Sequence, residues 1–169
     1  MQIIVGLGNV GKQYDHTYHN VGFDCLDFLL PGVEFRENPS FYAYIAKVGD
    51  TIYVKPTTFM NLSGRAVQAV MQYYKVPLEK VTVIHDDSDI ALGKYKIQTD
   101  RGSGGHRGIQ SIIQHCGGKD MTRVRIGIRA ERFGKDKAEH FVLRKIIAED
   151  QLDLAEVYAE IGVWATDKI

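Results

Sequence analysis

Apolar positions along the chain fall into short blocks, and their spacing switches between a strand-like and a helical period. Ile3-Ile4-Val5-Gly6-Leu7 is a compact apolar run punctuated by glycine, which predicts a buried strand. Residues 20–30 carry Val21, Phe23, Leu26, Phe28, Leu29 and Leu30 at largely helical spacing, and Pro31-Gly32 stops that helix. Phe41 to Val48 and Thr51 to Lys55, joined through Gly49-Asp50, predict a β-hairpin. Ser63 offers an N-cap for a helix striped by Val67, Val70, Met71 and Tyr74. Val81 to Ile84 and Lys94 to Ile97 predict strands, and Ile109, Ile112 and Ile113 a helix beginning near Gly108. Val124 to Ile128 alternates like a strand, and a last helix buries Leu154, Val157, Tyr158, Ile161 and Trp164. Strands and helices interleave around an internal hairpin, so the expected fold is α/β: a twisted mixed sheet flanked by helices. With no repeat, low-complexity tract or linker, residues 1–169 read as a single domain.

Composition narrows the function. Lys plus Arg and Asp plus Glu each total 21, so the net charge is zero; a uniformly basic nucleic-acid coat is excluded, a local basic patch is not. The two cysteines, Cys25 and Cys116, make no disulfide framework and have no zinc-like spacing, so no metal is expected. No apolar run approaches the ~20 residues needed to span a bilayer. The N-terminus enters a strand directly, without a signal-like segment, so the expected location is cytoplasmic.

Gly6-Leu7-Gly8-Asn9-Val10-Gly11 matches GxGxxG directly after a strand, a dinucleotide-binding pattern. That motif requires a helix opening on its last glycine and an acidic residue about 20 positions on, at the end of a second parallel strand. Here a polar, non-periodic stretch follows, and then a hairpin. No nucleotide cofactor is therefore expected. The glycines instead let the chain leave the strand sharply and turn Asn9 inward.

Four polar segments follow strands: Asn9 to Asn20, Lys55 to Gly64, His85 to Gly93, and Thr99 to Gly108. Strand ends of this kind are where open α/β sheets bind ligands. The candidates they supply are His19, Asp86 or Asp87, Asn9, Asn20, Asn61, His85 and His106. No GxSxG elbow is present and neither cysteine lies in these segments, which argues against an acyl-enzyme. A histidine with a carboxylate suits a water-activating base, and asparagine amides suit a developing oxyanion. Plainer readings stay open: a solvated histidine, a turn or loose cation site at 85–89, a helix-capping Asn61, and a simple glycine-rich loop at 102–105.

The blocks Val5-Gly6-Leu7-Gly8-Asn9 with Tyr14, Tyr18-His19-Asn20-Val21-Gly22, and Lys55-Pro56-Thr57-Thr58-Phe59-Met60-Asn61-Leu62-Ser63-Gly64 occur in that order. They are followed by His85-Asp86-Asp87 through Asp89, and by Gly102-Ser103-Gly104-Gly105-His106 leading to Arg125-Ile126-Gly127-Ile128. In these blocks the chain resembles the bacterial-type peptidyl-tRNA hydrolase family along nearly its whole length. The resemblance implies a phosphorylase/hydrolase-like α/β fold and metal-independent hydrolysis of the ester between a peptide, or N-blocked amino acid, and the terminal ribose of tRNA. It implies His19 as the base, Asp86 as the group that orients it, Asn9 as the residue that helps tell blocked from free aminoacyl ends, and Asn61 as the one that holds the substrate and polarises the attack site. By the same resemblance Tyr14 and Phe59 contact the acceptor end, Met60 walls the cleft, and Arg125 lies near a phosphate. The expected partner is the acceptor stem and 3′ end of peptidyl-tRNA, bound by a monomer without cofactor.

Two positions depart from the family pattern. Arg107 stands where the family usually has asparagine, so a neutral amide contact does not transfer; a phosphate contact is one alternative. Val10 replaces the usual proline. Basic residues concentrate between 94 and 137 (Lys94, Lys96, Arg101, Arg107, Arg123, Arg125, Arg129, Arg132, Lys135 and Lys137), which predicts a basic face beside the cleft that would include Lys96 and Arg107. A non-catalytic RNA-binding relative of the same fold is the second reading, and Arg107 is the residue that favours it.

Overall fold

A computed structural model describes residues 1–166; the last three positions of the expected domain lie outside the described residues. The strands are β1 (Gln2–Gly6), β2 (Arg36–Asn38), β3 (Ala43–Val48), β4 (Thr51–Pro56), β5 (Val81–Ala91), β6 (Tyr95–Gln98) and β7 (Thr122–Arg129). They form one seven-stranded sheet in the order β2-β3-β4-β1-β5-β7-β6. The centre is parallel, β4 with β1, β1 with β5 and β5 with β7, while β2, β3 and β6 join antiparallel. The mixed sheet is as expected, and the hairpin lies at β3–β4.

Helices α1 (Val21–Leu29) and α4 (Ala148–Thr166) cover one face of the sheet, and α2 (Ser63–Tyr74) and α3 (Arg107–Cys116) cover the other. Alternation along the strands produces this sandwich. Ile4, Ile84, Val124, Ile126 and Ile128 point to the α1/α4 side, and Ile3, Val5, Val81 and Val83 to the α2/α3 side. Among the described residues no helix is long and apolar enough to cross a membrane.

Two expectations are corrected. The segment from His85 to Ala91 is not a loop: β5 continues through it, paired with β7 as far as Asp87 and again at Ala91 across a register shift. Its polarity disguised it, because His85 and Asp86 are buried strand residues. Ser63 is not the N-cap of α2; that position is Leu62, and the Ser63 hydroxyl donates to the Met60 carbonyl at 2.8 Å.

The glycines after β1 set how close α1 can come. A Cβ on Gly6 would strike the Gly22 carbonyl, and one on Gly22 would lie 2.5 Å from the Ile84 oxygen and the Leu7 nitrogen. The start of α1 therefore packs backbone to backbone over the tips of β1 and β5. That contact carries the preceding segment, Tyr18-His19-Asn20, to the strand ends.

Candidate active site

The site grows from that contact. Asn20 Oδ1 accepts the Asn9 backbone N–H and its Nδ2 donates to the Asn9 carbonyl, both at 2.9 Å, which ties the segment before α1 to the turn after β1. Next to it, the Tyr18 hydroxyl donates to buried Asp150 at 2.6 Å; burial and that carboxylate push its pKa up to about 12. The His19 amide donates to the Val142 carbonyl at 2.8 Å. His19 is thus held from both sides, and its ring is delivered to Asp86 on β5.

His19 Nδ1 lies 2.9 Å from each Asp86 carboxylate oxygen, and His106 Nε2 lies 2.7 Å from Oδ1. The protons can be assigned from the surroundings. His106 is the N-cap of α3: its Nδ1 accepts the backbone N–H of Gly108 (3.1 Å) and of Ile109 (3.3 Å). With Nδ1 an acceptor, the ring proton sits on Nε2 and is donated to Asp86. The carboxylate has only acceptors to offer, so His19 carries its proton on Nδ1 and leaves Nε2 as the basic nitrogen. Burial would push the Asp86 pKa up, but the two histidines outweigh it and hold the group well below the usual carboxylate range. Burial also works against a charged His19; Asp86 works for it, and the net effect raises its pKa above 6.5, with Arg107 pulling the other way.

Asn9 is buried, and its Oδ1 accepts the Met60 amide at 2.8 Å, which fixes the orientation of the carboxamide and leaves Nδ2 as a donor. Asn9, His19, Phe59, Met60, Asn61, Asp86, His106 and Arg107 all line one cleft of about 800 Å³. Ser103, Gly104 and Gly105 form one wall, and Val142 and Leu143 another. Met60 is buried, while Phe59 is 63% exposed at the rim. His19, Asp86 and His106 have the donor types of a metal site, with their ligand atoms within 4.8 Å of one another. The tautomers argue otherwise. A cation bound at His106 Nε2 would move the proton to Nδ1, facing the two N–H groups it caps.

The structure does not gather every expected residue. Neither Tyr14 nor exposed Lys96 lines the cleft. Arg125 is a correction: it is 5% exposed, its Nε donates to Asp87 at 2.8 Å and its guanidinium also binds the Gln98 side chain, so it presents no charge to a phosphate. The basic face is narrower than the sequence count. Arg123 is fully buried, Arg129 donates to the carbonyls of Ser88, Gly134 and Asp136, and Arg132 pairs with Asp150. Lys94, Lys96, Arg101, Arg107, Lys135 and Lys137 remain exposed. Sequence reasoning gave His106 no specific role; its place just before the Ile109/Ile112 stripe was the available signal.

The residues following Gly11 form a single 3-10 turn, Lys12–Tyr14, rather than a helix, so the strand-tip glycines do not present a helix N-terminus to a pyrophosphate. Residues 3–167 match the family model described as peptidyl-tRNA hydrolase. The chain is 39% identical over 165 residues to a peptidyl-tRNA hydrolase of Chlamydia abortus, covering 94% of this chain and 90% of that protein. It is 43% identical over 164 residues to one of Rickettsia bellii, covering 90% and 88%. A crystal structure of peptidyl-tRNA hydrolase from Acinetobacter baumannii superposes with a TM-score of 0.86 at 30% identity, covering 94% of this chain and 83% of that one. On sequence and on fold alike, the chain belongs to the peptidyl-tRNA hydrolase family.

Proposed function

We propose that this protein hydrolyses the ester between the peptide of peptidyl-tRNA and the terminal ribose, with His19 as the general base. The observation that carries the proposal is the His19–Asp86 contact, which leaves the other ring nitrogen free in the cleft. His19 Nε2 takes a proton from water as the water oxygen attacks the ester carbonyl. Asp86, ionised throughout, stabilises the imidazolium that forms. Negative charge collects on the carbonyl oxygen, where the Asn9 Nδ2 and the Asn61 amide are the available neutral donors. Collapse expels the ribose oxygen, which takes the proton back from His19, giving a free peptide acid and a tRNA with its terminal hydroxyl restored. The acceptor stem and 3′ end enter past Phe59, with the exposed lysines and Arg107 meeting phosphates. The protein does this as a monomer in the cytoplasm.

The test is turnover of N-acetyl-aminoacyl-tRNA against free aminoacyl-tRNA. Hydrolysis of the blocked ester with little of the free one is expected. The second reading, an RNA-binding module, is favoured by Arg107, a cation in the cleft; tRNA binding without release of the acyl group would establish it instead.

A further inference from the structure

One buried cation has no part in the chemistry above. Arg123, on β7, is 1% exposed and makes no ion pair among the described residues. Its guanidinium is shared between two neutral targets. Nε and Nη2 reach His85 Nε2 at 3.1 and 3.0 Å, while Nη1 donates to the carbonyls of Gly102 (2.6 Å) and Arg101 (3.2 Å). His85 is itself fully buried, and since its Nε2 accepts from Arg123 its proton sits on Nδ1, 2.6 Å from the Asp86 carbonyl oxygen. One chain of hydrogen bonds thus runs from the Arg101-Gly102 backbone through Arg123 and His85 to the main chain of Asp86. Gly102 leads directly into Ser103-Gly104-Gly105, the cleft wall, and on to His106, which binds the same Asp86 from the other side.

A buried guanidinium costs folding energy unless each N–H finds an acceptor, and removing Arg123 alone would leave the buried His85 Nε2 without its donor. Arg123→Met is therefore expected to cost stability as well as rate, and the rate is read only on folded protein. We propose that Arg123 is a positioning residue for hydrolysis: through His85 it locks the backbone of Asp86, and through Gly102 it fixes the wall that carries His106, so that the carboxylate meets both histidines at once. This rests on the reading of His19 and Asp86 as the reacting pair. One of its tests is read without turnover, so the two ideas can fail separately.

The experiment compares Arg123→Met and His85→Leu, which break the chain, with His85→Gln, whose amide can donate to the Asp86 carbonyl while its oxygen accepts from Arg123. Arg123→Met and His85→Leu are each expected to lower kcat about tenfold on N-acetyl-aminoacyl-tRNA with KM within about threefold, and the double variant to be no worse than either. His85→Gln should recover most of the rate. In the substrate-free protein, the low-field proton signal of the His19–Asp86 hydrogen bond should broaden or shift upfield in Arg123→Met and persist in His85→Gln. If Arg123→Met does not fold, the His85 pair and its proton signal decide. Unchanged kcat and proton signal in the broken variants would overturn the proposal; so would a loss confined to KM, or additive losses in the double variant.

Discussion

Replacing Asp86 with asparagine separates the size of this side chain from its charge and its acceptor count. The carboxylate receives His106 at Oδ1 and His19 at both oxygens. An asparagine offers one oxygen and one NH2 group in their place. If its oxygen stays with His106, the NH2 faces His19 Nδ1 at about the 2.9 Å now occupied by Oδ2, and His19 must move its proton to Nε2, losing its basic nitrogen. If the amide is reversed, His106 must carry its proton on Nδ1 and surrender the cap of α3, a loss of about 1 kcal/mol. Exchanging the tautomer of His19 costs less than that cap, so the inactive arrangement dominates. In the minority arrangement the imidazolium still lacks its anion. The expected loss in kcat is about 10³–10⁴-fold, or about 4–5.5 kcal/mol, the scale of losing both tautomer control and charge stabilisation. Single-turnover release of N-acetyl-amino acid, with circular dichroism to confirm folding, measures it. A folded Asp86→Asn protein within tenfold of wild type would refute the reasoning.

Further outcomes follow from the same geometry. Hydrolysis needs neutral His19, whose pKa is raised, so kcat/KM should fall as pH drops through a value above 6.5; Arg107→Asn removes a cation that opposes protonation and should move that limb to higher pH. The same raised pKa means His19 adds to stability below about pH 6.5, and that contribution disappears as pH rises through the folded-state value. Arg125→Met leaves Asp87 without its counter-charge and should lower stability by about 3 kcal/mol, read as a melting decrease of roughly 6–12 °C; an unchanged melting point with weakened tRNA binding would return Arg125 to a phosphate role. Gly22→Ala drives a methyl into the Ile84 and Leu7 backbone and should cost at least about 2–3 kcal/mol, seen as a lower denaturation midpoint; no change would mean that α1 can lift from the strand tips.

Most of the sheet and all four helices were legible in the sequence because their apolar residues repeat with the period of the element they form. What escaped notice was polar. Strand β2, Arg36-Glu37-Asn38, is a short exposed edge with no apolar face to betray it. The far half of β5 is held by pairing with β7 and by hydrogen bonds to His85 and Asp86, which hydrophobic periodicity does not register. Charge counting failed in the same way. Arg123 and Arg125 look like surface cations in a list of residues, yet both are buried on partners distant in sequence, and Arg129 and Arg132, nearer the surface, are tied to the Ser88 carbonyl and to Asp150. The meeting of His19, Asp86 and Asn9 was expected through family resemblance and through their positions after strands. The second hold on Asp86, from His106, a histidine capping a helix by accepting through Nδ1, is a tertiary arrangement that no local spacing encodes.

The most direct measurement pairs turnover and tRNA affinity in His19→Ala. If His19 Nε2 is the base, hydrolysis of N-acetyl-aminoacyl-tRNA should fall by at least about 10²–10⁴-fold while the dissociation constant for tRNA stays within a few-fold of wild type. A folded His19→Ala protein that hydrolyses the ester at close to the wild-type rate would contradict the account.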